Sequence, residues 1–280
     1  MTIIAALALT LLLGFAGSRQ PPDSSGPLLV VLNKSDHEAA LVDPSSYEVL
    51  ARLPTGTGPH EAAVSPDGRF AFATNYGAQT PGNSVTVLDL EERAVARTFD
   101  LGDRTRPHGI AVGRDAERLW VTSETTGSVL ELDAGSGRVL QVWETGQEGS
   151  HMLVPTPDER KLYVANVGSG TVSAIERESG RVITVRTGAG SEGLAVSPDG
   201  GELWVGSNGE HTLAVVDVER DSVVAVLPSG GRVPIRVAFT PNGEQVWVSN
   251  AETATVTVFD ARTRGLLGSI ESARCPSGSS

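Results

Sequence analysis

Sulfur and aromatic side chains are scarce in this 280-residue chain, which carries one cysteine, Cys275, two methionines and 5% aromatic residues. A lone thiol can form no intramolecular disulfide and no cysteine-based metal cluster, so stability has to come from the core. Apolar residues at helical spacing are missing outside the N-terminus, which excludes a helical bundle. G-x-S-x-G, a glycine-rich phosphate loop after a strand and H-E-x-x-H are also absent, and with them the common nucleophile, nucleotide and zinc-protease signatures. Positive charge is short as well: 22 Lys and Arg against 34 Asp and Glu leave a formal charge of −12. Without a basic stripe, that surface repels phosphate backbones, and no nucleic-acid partner is expected.

The chain does have one apolar run, Met1 to Gly17. At about 15 residues it is short of the roughly 20 needed to span a bilayer as a helix, and it ends in small residues as a secretory signal does. The expectation is a signal peptide over residues 1–18, a Pro/Ser-rich linker over 19–27, and a secreted or periplasmic product with no membrane span after processing. A basic n-region is lacking, so an uncleaved anchor is the alternative.

Glycine at 32 and proline at 16 accompany short Val-, Ile- and Thr-rich runs, the pattern of strands joined by tight turns. Five copies open on a short apolar strand and a turn: EAAVSPDG (61–68), GIAVGRDA (109–116), MLVPTPDE (152–159), GLAVSPDG (193–200) and RVAFTPNG (236–243). Second strands follow as FAFATN, LWVTS, LYVAN, LWVGS and VWVSN, and third strands end mostly in Asp. LLVVLN, AALVD and EVLARL supply the second, third and fourth strands of a sixth copy, which lacks its innermost strand. The step from the opening of the first strand to the close of the second is constant, as from His60 to Asn75, His108 to Ser123 and His151 to Asn166. Four antiparallel strands repeated every roughly 42 residues predict an all-β propeller domain over 28–271, with six blades and a ring that is incompletely closed. Val30, Phe72, Trp120, Tyr163, Trp204 and Trp247 share one position and are expected to pack between blades. Asp43, Asp89, Asp133, Asp217 and Asp260 are expected to cap hairpin turns.

With SPDG upstream of LYVAN (162–166), TVSAI after it, and the PHG of Pro107 to Gly109, the chain resembles the YVTN-repeat β-propellers, exported proteins similar to surface-layer propellers. The resemblance covers residues 28 to about 271. It implies a propeller that is often seven-bladed and usually has no assigned reaction, with lactonases and haem- or quinone-linked propellers among wider relatives. Within the tail 272–280, CPSGSS (275–280) begins like the GPH (58–60) and RPH (106–108) entries of earlier copies, and the tail is expected to supply a partial closing strand.

In such a blade the loops between strands two and three and the blade-to-blade returns share one face, and the length variation falls there. That face is the candidate site for a protein, glycan or small-molecule ligand, and the uniform Pro-Asp-Gly face is expected to be scaffold. His60, His108 and His151 open three consecutive innermost strands, Glu192 holds the same position in the next copy, and Glu61 and Arg236 stand one residue further along. His37 and His211 share a different position, six residues before the closing Asp. Two readings stand. One is an exported, monomeric, non-catalytic binding or scaffold protein without cofactor. The other is a metalloprotein or enzyme, lactonase-like or redox-associated, whose channel mouth holds a divalent metal through His60, His108 and His151, with Glu192 as a fourth ligand.

Overall fold

The computed structural model describes residues 26–272; the proposed signal peptide, most of the linker, Cys275 and the proposed closing strand lie outside them. Twenty-three strands form one three-stranded and five four-stranded antiparallel sheets. Blade one holds β1 (Leu29–Asn33), β2 (Glu38–Val42) and β3 (Val49–Pro54). Blade two holds β4 (Pro59–Val64), β5 (Phe70–Gly77), β6 (Pro81–Asp89) and β7 (Ala94–Asp100), and blade three β8 (Pro107–Val112), β9 (Arg118–Ser123), β10 (Ser128–Asp133) and β11 (Val139–Glu144). Blade four runs through β12 (Ser150–Pro155), β13 (Lys161–Asn166), β14 (Thr171–Glu176) and β15 (Val182–Arg186). Blade five comprises β16 (Ser191–Val196), β17 (Glu202–Ser207), β18 (Thr212–Asp217) and β19 (Ser222–Pro228), and blade six β20 (Pro234–Phe239), β21 (Gln245–Asn250), β22 (Thr255–Asp260) and β23 (Leu266–Glu271). Within every sheet the strands pair in chain order, and among the described residues blade one alone has no innermost strand, as the repeat pattern predicts. The connection between the second and third strands of blade two is an extended hairpin, β5 and β6 being 8 and 9 residues long.

Strands in the middle of a blade are apolar on both faces because a neighbouring blade covers each face. Tyr163 packs with Leu203 and Val205 of the next blade, and Trp204 with Val246, Val248 and Phe259. Burying such a ring removes roughly 150–250 Å² from water, worth on the order of 4 kcal/mol. The turns follow the local chemistry predicted for them. Asp133 Oδ1 accepts the Ser136 N–H at 2.8 Å and Asp217 Oδ1 the Arg220 N–H at 2.8 Å. In the Thr-Pro-Asp turn, hydrogen bonds from Thr156 and the Arg160 backbone hold Asp158 down at about 2.

Packing departs from the repeat at the seam between the last and first blades. Trp120, Tyr163 and Trp204 are 0% exposed, whereas Trp247, at the same position, is 39% exposed; Leu29 and Val31, on the facing side of blade one, are 50% and 37% exposed. The two end blades therefore do not cover each other as interior blades do.

Candidate metal centre at the axial mouth

Each innermost strand carries a register irregularity at its opening: between Pro59 and Ala62, Pro107 and Ile110, Ser150 and Leu153, Ser191 and Leu194, and Pro234 and Arg236. The irregular positions are those of His60, His108, His151, Glu192 and Ile235. A bulge re-aims the side chains beside it, and here it repeats in five consecutive blades. Threonines of the second strands fix it, Thr74 Oγ1 donating to His108 O at 3.0 Å and Thr122 Oγ1 to His151 O at 2.6 Å. Gly109 follows His108 because a Cβ there would lie 2.6 Å from His151 O and 2.9 Å from Met152 Cα. Gly193 meets Ile235 O of blade six in the same way, at 2.7 Å.

The three histidines form a stack across blades two, three and four. Ring centroids are 4.2 Å apart for His60 and His108 and 3.6 Å for His108 and His151, the latter pair stacked at 29°. Carboxylates flank the stack. His151 Nδ1 bonds Glu124 and its Nε2 lies 3.8 Å from Glu192, while His60 Nδ1 lies 3.6 Å from Glu61. Tyr76 donates its hydroxyl to Glu124 at 2.6 Å and sits edge-on to His108 at 5.7 Å. Arg236 pairs with Glu61 and reaches Glu192 at 3.7 Å. Blade six is thereby tied to blade two across the position where blade one has no innermost strand.

His108 is the most enclosed of these groups: it is 1% exposed, and neither of its ring nitrogens has a hydrogen-bond partner. Two sets of three residues have ligand atoms within 4.8 Å of one another: His60, Glu61 and His108, and His108, Glu124 and His151. The three histidines expected to share one ion are thus brought together as two overlapping sets with His108 in common. Glu192 stands beside His151 without joining either set.

Electrostatics separates the groups. Burial, and then the positive charge of His151 and His60, pushes His108 far down, so it is a neutral imidazole. Burial also opposes charge on His151, but hydrogen bonds and charge from Glu124 and Glu192 outweigh it and raise His151 to about 9. Glu61 and Glu124 are desolvated yet lie below the usual carboxylate range, held there by His60 and Arg236 in one case and by His151 and Tyr76 in the other. Tyr76 is raised to about 12 by burial and by its bond to Glu124.

Glu124, Tyr76, Lys34 and Asn208 are the residues that reading the strand openings alone passed over. They share a single repeat position, one residue past the close of the second strand, and they surround the stack. Lys34 and Arg106 lie over the Tyr76 ring at 5.1 and 4.8 Å, and Asn208 donates to Glu192. His37 and His211 are not drawn in. Both adopt positive φ, 58° and 56°, and their Nδ1 atoms accept the Gly58 and Val233 N–H groups at 3.1 and 3.2 Å. They serve as turn residues. The opposite face carries a broad open groove of about 1480 Å³ lined by blades three, four and five. Its lining carboxylates Asp158, Asp199 and Asp217 accept backbone N–H bonds of their own turns. The perturbed histidines and the unpartnered imidazole lie instead at the axial mouth.

Comparison with known proteins agrees on architecture. A family described as lactonase, seven-bladed β-propeller, matches residues 181–279. The chain is 32% identical over 117 residues to dihydro-haem d1 dehydrogenase of Pseudomonas aeruginosa, a match covering 41% of this chain and 22% of that protein. The chain therefore spans under a quarter of that relative's length. Among solved structures, Kuenenia stuttgartiensis hydrazine synthase aligns with a TM-score of 0.77 at 21% identity, over 91% of this chain and 86% of that one. Dihydro-haem d1 dehydrogenase NirN in complex with DHE aligns with a TM-score of 0.69 at 20% identity, over 93% and 58%. No helix among the described residues is long and apolar enough to cross a membrane. The described residues form six sheets where the matched family is described as seven-bladed, and in strand order and structural neighbours alike the chain is a β-propeller.

Proposed function

We propose that this chain is an exported metal-binding propeller whose axial mouth holds a divalent first-row transition ion through His108, His151 and Glu124. The observation that carries the reading is His108, a buried neutral imidazole with both nitrogens free of partners. A buried polar group left unpaired costs about 1–3 kcal/mol, and a bound ion removes that cost by taking the imidazole lone pair. Imidazole suits zinc, copper, iron and nickel. Two histidines, a carboxylate and an open fourth position make a first shell of the kind zinc uses. Glu192 and Tyr76 would hold the second shell, Tyr76 by fixing the Glu124 carboxylate.

A purely structural role for this cluster is a poorer account. The cluster leaves both ring nitrogens of His108 without a partner, and perturbed groups of this kind collect at functional sites. The cluster also lies on the face of the variable loops. The lactonase-type match and the dehydrogenase relative support a metalloprotein or redox-linked role over a scaffold without cofactor, and one structural neighbour, NirN, is in complex with DHE. Export rests on the N-terminal apolar run.

Elemental analysis of the purified full chain, beside a His60→Ala/His108→Ala/His151→Ala variant of unchanged circular dichroism, tests the reading. The account expects bound metal in the native protein and its loss in the variant. Equal content in both would remove it.

A further inference from the structure

We propose that the groove on the Pro-Asp-Gly face, lined by blades three, four and five, docks an extended protein segment bearing neighbouring lysine or arginine side chains. Carboxylates on its rim take those side chains, and the indole N–H of Trp143 donates to a backbone carbonyl of the segment. The site is separate from the axial mouth and does not rest on the metal-binding reading.

The groove, of about 1480 Å³, is lined by eight carboxylates and three basic side chains. The basic ones are already paired: Arg160 with Asp158 at 2.7 Å, Lys161 with Asp221 at 2.7 Å and Arg177 with Glu131 at 3.0 Å. Asp158, Asp199 and Asp217 hold their own turns. Glu178 and Glu219 are different. They occupy one repeat position, two residues after Glu176 and Asp217 in the hairpin turns of blades four and five, and both are exposed. Among the described residues their carboxylates have no hydrogen-bond or ion-pair partner.

Acidity alone names no ligand, and the second observation is Trp143. It lines the groove, is 5% exposed, and its Nε1 has no hydrogen-bond partner. The position does not call for a polar ring: Phe99 holds it in blade two, opposite Val85 as Trp143 is opposite Val129. Over Phe99 the turn glycine of the next blade closes tightly, since a Cβ on Gly137 would lie 2.2 Å from the ring. Gly180, the counterpart over Trp143, stands off, and Nε1 is the atom nearest to a Cβ built there, at 3.8 Å. Gly180 also lines the groove, so the unpaired N–H is directed to the groove wall where no side chain intervenes.

The two features together select the occupant. The rim calls for two cations one blade apart, and the wall calls for a neutral acceptor, because a buried N–H without a partner is costly. A polyamine brings cations but no acceptor, its nitrogens being protonated. A peptide with neighbouring basic residues brings both in one chain, and its charge complements the groove.

The test is isothermal titration calorimetry of the full chain with an acetylated, amidated pentalysine peptide and, in parallel, with spermidine, at low and high ionic strength. The proposal expects saturable peptide binding that weakens with salt. Trp143→Phe, which places there the ring that blade two carries, should weaken the peptide roughly three- to tenfold and leave spermidine unchanged. Glu178→Gln/Glu219→Gln should weaken both ligands, whereas Glu91→Gln/Glu92→Gln, the same charge change on exposed residues of the blade-two turn, should weaken neither. Equal weakening by the two glutamine pairs would reduce the interaction to attraction by net charge and overturn the site. Unchanged peptide affinity in Trp143→Phe would overturn the carbonyl contact and with it the peptide as occupant, and a native chain that does not bind the peptide would overturn the proposal outright.

Discussion

His151 and His108 stack against each other, yet their environments drive them to opposite charge states, and this sets how the metal-free protein responds to pH. His151 is raised to about 9 against an ordinary 6.5. A group raised on folding gives a contribution that is complete below its unfolded value and is lost as pH climbs through the folded one. The Glu124–His151–Glu192 contact therefore stabilises the chain by on the order of 3 kcal/mol at pH 6.5 and fades between pH 6.5 and 9. His108 is shifted down, so its contribution is complete above 6.5 and declines as pH falls below it. Thermal melts of metal-free protein should show stability falling on both sides of about pH 6.5. Glu124→Gln should flatten the alkaline limb, and an unchanged alkaline limb would show that Glu124 does not hold the His151 proton. The histidines of this site were legible in the sequence because each opens an innermost strand at a fixed step. Glu124 and Tyr76 were not, because nothing about a residue just past the second strand says that a bulge in the next strand will turn an imidazole toward it. The signal was present in the register: Lys34, Tyr76, Glu124 and Asn208 stand one residue beyond the closing Asn or Ser in four copies.

At the scale of the strand and the blade, the bulged opening of β8 and β12 is the feature that builds the mouth. Gly109 lets these two innermost strands approach, and the obstacle a methyl group would meet is backbone, His151 O at 2.6 Å. Gly109→Ala should therefore cost about 1–3 kcal/mol by overpacking, measured by urea unfolding, with metal binding lost in parallel; a neutral substitution would mean that the bulge has slack. Strand order, turn chemistry and the missing innermost strand of blade one could all be read from the repeat, because each is encoded within a single copy. The exposure of Trp247 could not. Its sequence context matches that of Trp204, and what differs is the blade that follows. Amide hydrogen exchange should accordingly find residues 28–54 opening at lower free energy than residues 156–230. Among the described residues the Arg236 pair with Glu61 ties blade six to blade two at the axis, and a partly exposed pair contributes about 1 kcal/mol or less. Uniform protection around the ring would contradict a weak seam.

For the whole molecule, six sheets around an axis turn one repeated residue position into a ring of side chains, and divergence among the copies turns that ring into a site. Histidine in three copies, glutamate in the fourth and isoleucine in the fifth leave the imidazoles on blades two to four, with Glu192 of blade five, Arg236 of blade six and Lys34 of blade one around them. The acidic surface adds to this, since a net charge of −12 draws cations toward the protein. The measurement that bears most directly on the account is anomalous diffraction from crystals of the full chain equilibrated with zinc and recorded on both sides of the zinc absorption edge. The account predicts an anomalous peak within roughly 2.0–2.1 Å of a His108 ring nitrogen, with His151 and Glu124 completing its shell. A folded propeller with zinc bound elsewhere and no peak beside His108 would contradict it.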